Sequence, residues 1–67
     1  MDCFAKNLKE LRLEYGLSQA ELAEKLGVDF RTISNWENGV RKPDIDMLVI
    51  VADFFEVSTD FLLGKDD

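Results

Sequence analysis

The chain has no histidine, one cysteine and one proline. Without histidine, and with Cys3 alone, a zinc site of the usual Cys/His kind cannot be assembled. No second thiol exists for an internal disulfide, which fits a reducing, cytoplasmic setting. Cys3 also lacks the histidine a nucleophilic thiol would use, so it reads as a bystander. Long apolar runs are missing too. The longest, Met47 to Ala52, is far short of a bilayer span. Charges break up the first ten residues, MDCFAKNLKE, so no signal peptide is expected there. The carboxylates show no pair at a spacing that suggests acid–base work, and no enzyme activity is expected. Nothing calls for a cofactor, a metal or a membrane.

What is present describes one small globular domain over residues 1–67. The sequence is 46% apolar and 33% charged, outside the range of disordered chains. A domain this short buries only about 60% of its unfolded surface, so its core must be efficient. The net charge of −6 argues at first against a nucleic-acid partner. Its distribution changes that reading. Residues 1–43 hold seven bases (Lys6, Lys9, Arg12, Lys25, Arg31, Arg41, Lys42) and seven acids. Residues 44–67 hold seven acids and one base, which accounts for the whole excess. A DNA-binding surface needs local, not total, positive charge. The acidic end is a solvated face, or one that turns phosphates away from the wrong side.

Helical spacing runs throughout, with no strand-like alternation. Phe4, Leu8, Leu11 and Tyr15 share a face of a first helix that Gly16 stops. Ser18 to Glu21, SQAE, is a capping box that opens a second helix. Leu22, Ala23 and Leu26 are its apolar face, and Gly27 ends it. Asp29 caps a third helix, on which Ile33 and Trp36 point one way. Arg31, Asn35 and Asn38, with Ser34 beside them, point another. Asn38-Gly39 is a turn signal, and Pro43 marks a helix boundary. Asp44 or Asp46 can cap a fourth helix, with Ile45, Leu48, Val51, Ala52 and Phe55 as its inward face. Ser58 caps a short fifth helix, TDFLL, ended by Gly64. The expectation is an all-α, compact five-helix bundle.

The informative unit is residues 18–38. Two short helices joined by a tight turn at Gly27 form a helix-turn-helix, whose second helix can lie in the major groove of double-stranded DNA. Ala23 must be small where the helices cross, and Gly27 must tolerate positive φ. Trp36, beside Ile33, reads as core and not as a stacking platform for single strands.

LxxLRxxxGLSQAELAEKLGV over Leu8 to Val28, TISNWENG over Thr32 to Gly39, the following Pro43 and the closing VSTDFLLG together resemble the phage repressor and Cro-like (Xre-type) helix-turn-helix regulators. The resemblance covers about Leu8 to Leu63. It implies the lambda-repressor-like fold and a sequence-specific transcriptional regulator, expected to be a repressor. The partner it implies is a pseudo-palindromic operator bound by a homodimer. Carried over by position, Phe30, Arg31, Thr32, Ser34 and Asn35 face bases, while Gln19, together with the N-terminal amides of its helix, and Asn38, Arg41 and Lys42 hold the backbone. Arg31 can take guanine O6 and N7, and Asn35 adenine N6 and N7. Phe30 departs from the polar residue of many relatives. It either packs on a thymine methyl or covers the turn. Arg12 and Glu37 match positions that form an ion pair in the family. Ile50, Phe54 and Phe61 are surplus to the core and are expected at a dimer interface, unless Phe54 and Phe61 fold inward. The rival reading is a protein-interaction or antitoxin-like adaptor module on the same scaffold.

Overall fold

The computed structural model describes residues 3–65; Met1, Asp2, Asp66 and Asp67, which belong to the expected domain and to its charge balance, lie outside the described residues. Among the described residues there are five helices and no strand. They are α1 (Cys3–Glu14), α2 (Gln19–Leu26), α3 (Phe30–Glu37), α4 (Ile45–Phe55) and α5 (Thr59–Leu63).

Local chemistry sets most boundaries. Ser18 Oγ accepts from the Glu21 N–H, and the Glu21 carboxylate accepts from the Ser18 N–H, closing the capping box at the start of α2. Asp29, Asp44 and Ser58 cap α3, α4 and α5 through their side-chain oxygens. Of the two candidates before α4, Asp44 is the cap and Asp46 lies in the first turn. Gly27 takes the left-handed conformation at φ 74° and donates to the last carbonyls of α2. Val28 N–H then returns to Ala23 O at 2.9 Å, and α3 starts two residues later. Glu56 ends α4 at φ 57°, a left-handed position without the glycine that usually fills it.

The core gathers Phe4, Leu8, Leu11, Leu22, Ala23, Ile33, Trp36, Val51, Ala52, Phe55 and Leu62. Helix α3 packs on α1 and α2, and α5 closes the other side against α1 and α4. Phe4 meets Trp36 edge-on, with ring centroids 6.2 Å apart. The resulting body measures 30 × 23 × 22 Å. No helix of the described residues is long and apolar enough to cross a membrane.

Four apolar side chains sit differently from expectation. Tyr15 lies past the end of α1, in the turn before Gly16, and is largely exposed. Its ring still rests edge-on against Phe55, and its hydroxyl donates to Phe55 O at 3.1 Å. Ile45, placed on the inward face of α4, is 78% exposed. Asp44, Ile45 and Asp46 are all exposed, so the first turn of α4 projects beyond its neighbours. The resemblance assigns both Leu62 and Leu63 to core positions of the family. Only Leu62 is buried, because adjacent helical residues stand about 100° apart and a five-residue helix buries one side. Phe54 is not surplus. It is half-buried and packs on the core, tilted against Tyr15 and edge-on to Phe55.

Candidate nucleic-acid interface

Helix α3 divides cleanly. Ile33 and Trp36 are buried, and Phe30, Arg31 and Asn38 are exposed on the remaining surface. Thr32, Ser34 and Asn35 are half-buried between the two. Phe30 is 53% exposed at the first position of the helix, so it does not disappear under the turn. The Asn38 amide donates to Ser34 Oγ at 3.3 Å. At the far end, Gly39 takes φ 73°, and the N–H groups of Val40 and Arg41 both reach Asn35 O, at 2.9 and 3.3 Å. This closure leads the chain from α3 into Arg41 and Lys42, both exposed. The polar face therefore continues from α3 into two cations. A hollow of about 340 Å³ lined by Cys3, Phe4, Lys42, Pro43, Leu48, Leu63 and Lys65 lies beside Lys42.

A buried polar cluster fixes α3 relative to α1 and α2. Arg12 Nε donates to Glu37 Oε2 at 2.7 Å, and Nη2 donates to Glu37 Oε1 at 3.0 Å. Both side chains are almost closed to solvent, at 9% and 3% exposure. Arg12 Nη1 donates to Leu17 O at 2.8 Å, and Gln19 Nε2 donates to Glu37 Oε1 at 3.1 Å. One guanidinium thus ties together the end of α1, the loop before α2 and the last turn of α3. The hydrogen bond from Glu37 pushes the Arg12 pKa up, against the opposing effect of burial, so the group stays charged.

Gln19 is more constrained than its expected phosphate-anchoring role requires. Its side-chain N–H group already faces inward to Glu37. The backbone N–H groups of Gln19 and Ala20, in the first turn of α2, have no carbonyl within the helix to bind and remain available to an anion. Sequence reasoning also missed a contact at the other end of the motif. Asp29 Oδ1 accepts from the Arg31 backbone N–H at 2.8 Å and from Arg31 Nε at 3.3 Å. The Asp-x-Arg spacing at a helix start was the available signal.

Comparison with known proteins agrees with this geometry. The helix-turn-helix family profile matches residues 8–62. The HTH-type transcriptional regulator ImmR of Bacillus subtilis is 47% identical over 62 residues, covering 92% of this chain and 49% of that protein. The chain therefore spans about half the length of this curated relative. A transcriptional regulator of Listeria innocua superposes with a TM-score of 0.87 at 41% identity, over 96% of this chain and 60% of that one. The P22 c2 repressor, solved in complex with a synthetic operator, also gives 0.87, at 27% identity over 94% of this chain and 96% of that one. Helix pair, turn, buried arginine–glutamate cluster and profile match agree, and the chain belongs to the helix-turn-helix family, among its phage repressor and Cro-like (Xre-type) regulators.

Proposed function

We propose that this domain binds double-stranded DNA in a sequence-specific way, as the DNA-reading part of a transcriptional repressor, with α3 in the major groove. The observation that carries this reading is the division of α3. Its apolar residues are spent on the core, and what is left outward is hydrogen-bonding and flanked by two cations. An α-helix with its side chains is about 10–12 Å across, which suits the roughly 12 Å width of the major groove. Arg31 and Asn35 read base edges, with Thr32 and Ser34 beside them and Phe30 against a thymine methyl. The first-turn amides of α2 at Gln19, together with Asn38, Arg41 and Lys42, hold phosphates. The operator occupied by the P22 c2 repressor in its crystal structure supports the same placement here. The reading needs no cofactor, and the activity is binding, not catalysis.

Two copies on a two-fold site would place their recognition helices about 34 Å apart, one DNA turn. The domain's longest dimension of 30 Å suits side-by-side packing at that spacing. Val49, Ile50 and Phe61 supply the surface for it, with Ile50 46% and Phe61 40% exposed on two helices that pack together. Phe54 contributes from below, through its packing on Phe55.

The test is binding to genomic duplex fragments at two salt concentrations. Phosphate contacts release counterions, so affinity must fall steeply as salt rises. Lys42→Ala should weaken all sequences alike and lower the salt slope by about one. A protein that retards no duplex at either salt concentration would instead be an interaction module on the same scaffold.

A further inference from the structure

Among the described residues, α2, α3, α4 and α5 each begin with a side-chain cap, and three of those caps do nothing else. Ser18, Asp44 and Ser58 each accept from the backbone N–H of the third residue of the helix they open. Asp29 does more. The oxygen that caps α3 also accepts from the Arg31 guanidinium, at Nε. Arg31 makes no other side-chain hydrogen bond or ion pair among the described residues, and its side chain is 78% exposed.

We propose that Asp29 is a positioning residue for base recognition: its carboxylate holds Arg31 by the Nε side and presents the two Nη groups to the O6 and N7 of a single guanine. The inference rests on the reading that α3 enters the major groove. Three physical points lead to it. A free arginine near DNA has many phosphates within reach, and a point charge does not choose between phosphate and base. Pairing with Asp29 offsets part of that charge, which weakens a phosphate contact more than a geometrically matched pair of hydrogen bonds to a base edge. Arginine has five N–H donors in a fixed fork, so using Nε leaves the four on the Nη groups. Tethering at one end also removes rotamer freedom before binding, which lowers the entropy lost on contact.

The test is selection of bound sequences from random duplexes, using the wild type, Arg31→Ala, Asp29→Ser and Asp29→Asn. Serine already caps α2 and α5 in this protein, so Asp29→Ser keeps a helix start while being too short to reach the guanidinium. Asp29→Asn keeps the cap's shape and loses the charge. The wild type is expected to select a guanine that Arg31→Ala no longer selects. Replacing that guanine with 7-deazaguanine, which lacks the N7 acceptor, should weaken the wild type. In Asp29→Ser the preference for guanine should fall about two- to fivefold, the range of an exposed ion pair. Its affinity for unrelated duplex should rise, with a salt slope steeper by about one, as the freed arginine takes a phosphate. Asp29→Asn should move the same way by less. Undiminished guanine selection in both Asp29 variants would overturn the proposal and leave groove binding by α3 intact. An Arg31→Ala variant that selects the same guanine would overturn it as well. A wild type that binds no duplex would remove the underlying reading with it.

Discussion

Replacing Glu37 with leucine would strand a buried charge, and the cost can be worked from the contacts. The Arg12 guanidinium has three partners: two oxygens of Glu37 and the Leu17 carbonyl. Glu37→Leu removes two of them and leaves a side chain with 9% exposure no route to water. Breaking a buried pair from one side costs about 3–5 kcal/mol. Arg12→Met should cost a similar amount, since Glu37 keeps only the Gln19 amide and the Leu17 carbonyl loses its donor. At about 0.05–0.15 kcal/mol per residue, a domain of this length is stable by roughly 3–10 kcal/mol. Either single change should therefore bring it close to unfolding. The double variant Arg12→Met/Glu37→Leu has no stranded charge. It retains the loss at Leu17 O, about 1–3 kcal/mol, and the half-buried Gln19 amide loses Glu37 as well, but with no charge stranded it should be more stable than either single variant. Urea melts of the four proteins give the coupling directly. Because the pair is buried, the coupling energy should also change little with salt. Single variants within about 0.5 kcal/mol of wild type, or a double variant whose loss is the sum of the singles, would refute the argument.

Three further outcomes follow from individual backbone and side-chain positions. Gly27→Ala and Gly64→Ala both force alanine into the left-handed region, but a Cβ at Gly27 meets nothing within 4 Å while one at Gly64 would sit 2.7 Å from Cys3 Cβ. Gly27→Ala should cost about 1–2 kcal/mol and Gly64→Ala clearly more in urea melts; equal costs would contradict the packing of Cys3 against the end of α5. Glu56→Gly should stabilise by about 0.5–1 kcal/mol, the relief of left-handed strain less the extra freedom glycine brings to the unfolded chain, and a loss of stability would contradict it. The Glu21 and Asp29 carboxyls are held below their ordinary values of 4.5 and 3.8, chiefly by the backbone N–H groups of Ser18 and Arg31. Groups depressed in the folded state stabilise fully above about pH 5, and that share is lost as pH falls through the folded values. Glu21→Gln should flatten the acid limb of a stability–pH curve; an unchanged limb would contradict the capping geometry.

The parts of this structure that were legible in the sequence are the local ones. SQAE writes its own hydrogen bonds within four residues, and Gly27 announces a positive φ that few other residues tolerate. Periodicity placed Leu8, Leu22, Ile33 and Val51 inside correctly. It misjudged Ile45, because a repeat shows which residues share a face and not how far the neighbouring helices extend over it, while the family match misjudged Leu63. Phe54 was assigned outward for want of a partner, and the partner is Tyr15, from a turn 39 residues away. The pairing of Arg12 with Glu37, 25 residues apart, came through family resemblance; spacing alone carries no such signal. The attachment of Gln19 to that pair had no sequence signal either, and it shifts the expected phosphate contact from the Gln19 side chain toward the backbone of α2.

The central claim is that the outward face of α3 reads base edges. Selecting bound sequences from random duplex DNA with the wild type and with Asn35→Ala tests it most directly. The wild type should enrich one motif, and Asn35→Ala should relax the preference at one adenine while losing about 1–3 kcal/mol on the best site. Enrichment of the same motif by both proteins, or of none by either, would contradict it.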